Sequence, residues 1–366
     1  MADVKKAAPR AAALREFPVI AEPGGNSVSG LSSGAFMTAQ LHLAHSALFA
    51  GAGIVAGGPC RCVESFPGAS PIAEDAYVQN ALFICMNPLS KRTGPQAATL
   101  AQIARHSAGD GLIDPIGHLA RQRLYLFTGS QDQVVDPLVV QATREFYLAL
   151  GVPEAQLKFV DDVPAGHALL TSNLEDNALG VNAPPYLSRW TGMQSHDILR
   201  HIHGVLNPPS TRLSGEILRF DQREFFDPND EGDSRSSMSA YGYAYVPQAV
   251  LEGAPARAIH VALHGCKQGY NYVNLDAGVP DRANEPPYGN RYFTTTGYNE
   301  IADSNGFIVL YPQVEGIDDG RTQNPEGCWD WWGYSDPDHP GRPDYWSKNA
   351  IQIRAIRAML ERLGAR

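Results

Sequence analysis

Gly30-Leu31-Ser32-Ser33-Gly34 has the Gly-x-Ser-x-Gly form of a nucleophile elbow, the strained strand-to-helix turn that lifts a serine oxygen over the end of a sheet. The flanks agree. Asn26-Ser27-Val28-Ser29 reads as the end of a short strand, and Ala35 to Ala44 as a helix of small and apolar residues. Small side chains suit such a turn because strand and helix pass so close that Cβ atoms would collide. An ordinary Gly/Ser turn carries the same letters, so the rest of the chain has to decide.

Outward from the elbow, strands and helices alternate. Gly53-Ile54-Val55-Ala56 reads as an apolar strand, followed by helices near Ile72–Cys85 and Gln96–Ala108. Arg123-Leu124-Tyr125-Leu126-Phe127 is a buried strand ending in the turn Ser130-Gln131-Asp132. A helix over Pro137–Leu150 and a strand at Lys158-Phe159-Val160 lead into Pro164-Ala165-Gly166-His167. This alternation predicts a parallel sheet with crossover helices. Residues 172–214 are polar and proline-containing, with one helix near His196–His203, and are expected to run as an excursion over the sheet edge. Leu218–Phe226 and Gly242–Val246 read as antiparallel edge strands. Ala258–Leu263 and Phe307–Tyr311 read as further buried strands, and Ser347–Leu363 as a closing helix. The fold expected is a single-domain α/β-hydrolase over residues 1–366, mostly parallel with helices on both faces. Residues 1–17 are expected to be flexible.

Composition narrows the function. A net charge of −10 argues against a nucleic-acid partner. No apolar run reaches the roughly 18 residues of a membrane span. Met1–Arg15 is charged and alanine-rich, without the apolar core of a signal peptide. That leaves a cytoplasmic protein or one whose signal has been removed. The five cysteines, at 60, 62, 85, 266 and 328, lack paired metal-binding spacing, and their odd count leaves at least one free. The chemistry closes with protein groups alone, so neither cofactor nor metal is implied.

A serine hydroxyl needs a histidine to take its proton, and that histidine works best when a carboxylate fixes its tautomer. Asp132 and His167 follow Ser32 in the α/β-hydrolase order, and each lies a few residues past a strand. Asp136, Asp161 and Asp162 are rival acids, and a turn-capping role is the ordinary reading of Asp132. An oxyanion hole needs two backbone N–H groups. One follows the nucleophile, at Ser33. The loop for the other normally precedes the serine, yet the strand-ending Leu263-His264-Gly265-Cys266 lies far downstream. The order elbow, acid, base, oxyanion loop is that of a circularly permuted hydrolase. His264 reads as structural and not as the base.

Several stretches jointly carry a family resemblance: Gly30–Ala35, Val55–Pro59, Thr128–Asp132, Ala165–His167, Phe220–Gln222, Tyr243–Pro247, Leu263–Cys266, Tyr311–Gln313 and Cys328-Trp329-Asp330-Trp331-Trp332-Gly333. Together they resemble the polyhydroxybutyrate (PHB) depolymerases with the second, circularly permuted type of catalytic domain. The resemblance implies a serine esterase cutting 3-hydroxybutyrate ester links in a polyester granule or oligomer. It implies Ser32 as nucleophile, His167 as base and Asp132 as its orienter, with Ser33 and Cys266 as oxyanion donors. It also implies disulfides Cys266–Cys328 and Cys62–Cys85, although Cys60 remains a rival for Cys85. Cysteine pairing would favour an extracellular or periplasmic location over a cytoplasmic, granule-associated one. No separate substrate-binding domain is expected, and the protein is expected to be a monomer.

Trp331 is implied as a groove residue, with Trp329 and Trp332 as neighbouring substrate contacts. Were this stretch extended, Trp329 and Trp331 would share one face and Trp332 would take the other. Two other readings compete: a carboxylesterase acting on soluble hydroxyalkanoate, feruloyl or acetyl esters, and an inactive granule-binding protein on the same scaffold.

Overall fold

The computed structural model describes residues 9–20, 24–66, 73–226, 235–270, 290–318, 320 and 322–365. Apolar runs bounded by turns become strands in chain order: β1 (Arg10–Ala11), β2 (Asn26–Leu31), β3 (Phe49–Val55), β4 (Arg123–Phe127), β5 (Leu157–Val160), β6 (Leu169–Thr171), β7 (Leu187–Arg189), β8 (Glu216–Asp221), β9 (Tyr241–Val246), β10 (Ala258–Leu263) and β11 (Phe307–Tyr311). Nine of them form one sheet in the order β1-β8-β9-β11-β10-β2-β3-β4-β5. The run from β11 to β5 is parallel throughout, while β9 lies antiparallel to both β8 and β11. The expected parallel sheet with antiparallel strands to one side is present.

The connectivity is permuted. β2, which feeds the elbow, sits between β10 and β3 with Gly30 beside Leu263 and Leu31 beside Val55. Strands β8–β11, late in the chain, lie on one side of β2 and β3–β5 on the other, with β1 at the far edge beside β8. The N-terminal segment meets both the closing helix and the chain entering β10: the Phe17 N–H donates to Leu363 O at 3.2 Å, and the Ala256 N–H to Pro18 O at 2.7 Å.

Helices α1 (Ser33–Ala44), α3 (Ala97–Gly109) and α4 (Pro137–Ala149), together with the closing helix Ile351–Leu363, share one apolar core on one face of the sheet. Helix α2 (Ala73–Asn80) belongs to the loop region beyond β3. The second core contains Ile198, Leu199 and Ile202 of α5 (Gln194–His203), and Tyr298 and Ile301 of the helix Tyr298–Asn305.

Two expectations need correction. Residues 172–214 do not simply skirt the edge. β7 pairs with β6, and α5 packs on β3 and β4, where Gly53 admits it: a Cβ there would stand 2.6 Å from Ile198 Cγ2. The amphipathic pattern of α5, with Ile198, Leu199 and Ile202 buried, needed a sheet face to cover. The N-terminal segment also differs. Residues 1–8 lie outside the described residues, but Arg10–Ala11 pairs with β8, and Leu14 and Phe17 are buried. Burial of two large apolar side chains spaced three apart offsets part of the backbone freedom the segment gives up.

Candidate active site

The elbow forms as its sequence requires. Ser32 has φ 57° and ψ −123°, a conformation that costs a non-glycine residue about 1–3 kcal/mol and persists only where its surroundings enforce it. Here they do. Its N–H donates to Val55 O at 2.9 Å, and its carbonyl accepts from Ala35 and Phe36. A Cβ on Gly30 would lie 2.2 Å from Gly34 O, and one on Gly34 would lie 2.3 Å from Leu263 O. Neither position tolerates a side chain. Ser32 itself remains partly exposed at the carboxyl end of β2.

Asp132 and His167 follow the ends of β4 and β5. The His167 Nδ1–H donates to Asp132 Oδ2 at 2.8 Å, and both side chains are almost fully buried. Asp132 Oδ1 accepts from the Val134 and Val135 N–H groups, each at 2.9 Å. Asp132 therefore caps its own turn and orients the imidazole, one oxygen for each task. The rivals have other places: Asp136 caps α4 through the Leu138 N–H at 2.8 Å, and Asp161 and Asp162 are exposed. Tyr186 sets its ring edge-on to His167, with centroids 5.4 Å apart. Ser32 Oγ forms no hydrogen bond to His167, whose ring is held by Asp132.

Across the elbow lies the loop after β10. A Cβ on Gly265 would stand 3.1 Å from Ser32 Cβ. The Ser33 and Cys266 N–H groups have no acceptor among the described residues. Two donors left open beside a serine could stabilise negative charge developing on a substrate carbonyl.

Cys266 is bonded to Cys328, and Cys62 to Cys85. Cys60 is the free thiol, buried and pushed up to about 12 by that burial. Cys62, not Cys60, is thus the partner of Cys85.

A cavity of about 790 Å³ opens beside Ser32, Ser33 and Cys266. Phe36, Leu82, Met86, Val135, Trp331 and Trp332 contribute to its apolar lining, whereas His167 and Asp132 are not in its wall. Trp331 stacks on Phe36 with centroids 4.1 Å apart, and Trp332 meets Trp331 edge-on at 5.3 Å. Trp329 is not part of this wall. It is fully buried against His264, so its place as a substrate contact is not met.

The alternation expected for the tryptophans fails because the stretch is not extended. Asp330, buried and without an ion-pair partner among the described residues, accepts from the N–H groups of Trp332, Gly333, Tyr334 and Ser335 and so bends the chain. Trp331 and Trp332 thereby reach the same cavity. Sequence reading missed Asp330, although an acid inside a tryptophan-rich run is a signal that something must satisfy it.

The fold and this set of side chains are those of an α/β-hydrolase with an elbow serine. No family model matches the chain. It is 36% identical over 343 residues to a poly(3-hydroxybutyrate) depolymerase of Delftia acidovorans, spanning 93% of this chain but only 59% of that protein. It is 32% identical over 335 residues to a polyhydroxybutyrate depolymerase of Talaromyces funiculosus, spanning 88% of this chain and 86% of the relative. The crystal structure of the PHB depolymerase from Penicillium funiculosum superposes with a TM-score of 0.75 at 30% identity, covering 96% of this chain and 98% of that one. A serine-to-alanine PHB depolymerase complexed with an R3HB trimer gives the same values. The chain belongs to the polyhydroxybutyrate depolymerase family.

Proposed function

We propose that this protein is a serine esterase that hydrolyses poly(3-hydroxybutyrate) and its oligomers. The observation that carries the reading is the buried Asp132–His167 pair on the strand ends next to a strained elbow serine, which opens on an apolar cavity. Ser32 Oγ attacks the ester carbonyl while His167 accepts its proton. The Ser33 and Cys266 N–H groups take the charge that develops on the carbonyl oxygen. His167 then protonates the departing alcohol oxygen, leaving an acyl-Ser32 ester. Water, deprotonated by His167, releases the hydroxy acid and restores the serine. Asp132 holds the Nδ1–H tautomer throughout, so that Nε2 is free to shuttle the proton.

The cavity suits an aliphatic polyester, whose methyl groups can lie against Trp331, Trp332 and Leu82. The two disulfides favour an oxidising location, extracellular or periplasmic. No helix among the described residues is long and apolar enough to cross a membrane. The protein would act as a monomer.

The test is clearing of a PHB granule suspension run beside hydrolysis of a p-nitrophenyl ester. Wild type is expected to do both, and Ser32→Ala neither, with its circular dichroism unchanged. Soluble-ester activity without clearing would assign the protein to short soluble esters. An active Ser32→Ala would remove the nucleophile.

A further inference from the structure

The loop that carries the Cys266 N–H is held on both sides by side chains outside the acid, base and nucleophile. The His264 Nδ1–H donates to Gly265 O at 2.7 Å, and His264 Nε2 accepts from the Val314 N–H at 3.2 Å. Both partners have fixed roles, one only accepting and the other only donating, so the tautomer is determined. The ring is completely buried, and burial lowers its pKa to about 4, so it stays neutral. Gly265 O and the Cys266 N–H belong to the same peptide plane. In a trans peptide the two point in opposite directions. Fixing the carbonyl toward His264 therefore fixes where the Cys266 N–H points.

The preceding peptide is held as well. The Gly265 N–H donates to Gln268 Oε1 at 2.6 Å, and Gln268 Nε2 donates to Pro185 O, also at 2.6 Å. Pro185 directly precedes Tyr186, whose ring stands edge-on to His167. Gln268 thus spans from the Cys266 loop to the segment beside the base.

We infer that His264 and Gln268 are positioning residues for the oxyanion hole: His264 aims the Cys266 N–H by holding the Gly265 carbonyl, and Gln268 ties that loop to the segment against His167. The inference rests on the proposed roles of Ser32 and Cys266. Neither side chain touches substrate. They act through the two peptides on either side of Gly265, and preorganised donors are effective because they need no reorientation as charge develops.

The test compares His264→Leu with His264→Asn on a p-nitrophenyl ester. Leucine removes the donor to Gly265 O. Asparagine keeps an N–H close to the Nδ1 position. His264→Leu is expected to lose about 10- to 100-fold in kcat with KM little changed, short of the roughly 10²–10³ lost when an oxyanion donor is removed outright. Its affinity for a boronic acid that mimics the tetrahedral intermediate should fall by the same factor, and His264→Asn should recover most of both. Should His264→Leu fail to fold, Gln268→Met serves instead, with Gln268→Glu as the variant that keeps the acceptor for the Gly265 N–H. A folded His264→Leu enzyme with wild-type kcat and boronate affinity overturns the inference. So does a loss in kcat without a loss in boronate affinity. Ser32→Ala in the same assay separates the two levels: if it is dead while His264→Leu is unimpaired, only the clamp is wrong, and if it is active, the reading of the site itself falls.

Discussion

At the residue scale, single side chains serve two purposes at once, which shapes what substitutions should do. Asp132 meets both readings of an aspartate in that turn, capping with Oδ1 and orienting His167 with Oδ2. Asp132→Asn keeps an oxygen for the Val134 and Val135 N–H groups, so the fold should survive. Its amide would nevertheless favour the wrong imidazole tautomer, and kcat/KM should fall by about 10⁴, measured on a p-nitrophenyl ester beside an unchanged melting curve. Near-normal turnover would move the acid role elsewhere. Trp331 is likewise a core residue and a cavity wall: only 5% of its surface is exposed, yet it faces the space beside Ser32. Trp331→Ala should lower stability by up to about 3–5 kcal/mol. Below its melting temperature it should lose far more activity on a 3-hydroxybutyrate trimer than on a short p-nitrophenyl ester, because only the longer substrate uses the remote wall. Equal losses on both substrates would make it a packing residue alone.

At the element scale, the elbow is a junction of three backbones. Gly30 lets β2 pass Gly34, and Gly34 lets α1 pass the end of β10, where an added Cβ would also stand 2.4 Å from His264 O. These contacts are with backbone atoms, which cannot swing aside as a flexible side chain does. Gly34→Ala should therefore yield little folded protein, and any that folds should be inactive, since the shift falls on the loop proposed to carry the second oxyanion donor. Gly109, in the last turn of α3, has nothing within 4 Å of an added Cβ. Gly109→Ala should raise stability by about 0.5–1 kcal/mol through lower chain entropy. Thermal melts of the two variants side by side would check the contrast, and a well-folded, active Gly34→Ala would show that the junction is looser than these distances imply.

At the scale of the whole molecule, the two cores hold neutral histidines that set how the fold responds to acid. His42, between Gln122 and Tyr147, and His264 beside Trp329 are both completely buried, and burial lowers each pKa from 6.5 to about 4. Unfolded, each would bind a proton near pH 6.5. Above that pH both states are neutral and no stability is lost. Below it the unfolded chain binds protons that the folded one refuses, so stability falls until pH about 4, where the folded state binds them too. Each histidine costs on the order of 3 kcal/mol across that window. The melting temperature should drop steadily from about pH 6.5 to about pH 4, and His42→Gln should flatten the slope. A melting temperature independent of pH across that range would refute this account.

Local pattern determined much of this protein. Gly30-Leu31-Ser32-Ser33-Gly34 specified its turn because glycine placement and a serine between strand and helix are short-range properties. The strand-helix alternation specified the parallel sheet because hydrophobic periodicity reports the buried face of each element. Even the permuted connectivity was legible, since the Leu263-His264-Gly265-Cys266 stretch, of a type that normally precedes the elbow serine, follows it in the chain. Tertiary structure decided what depends on partners distant in sequence. Only the packed sheet brings α5 over Gly53 and draws Leu14 and Phe17 into the core. Only the buried carboxylate of Asp330, needing donors, bends the tryptophan stretch so that Trp331 and Trp332 line one cavity and Trp329 does not. The hold of His264 on the Gly265–Cys266 peptide, and of Gln268 on the peptide before it, belongs here too, because a hydrogen bond is a matter of distance and angle, and residue order alone carries neither.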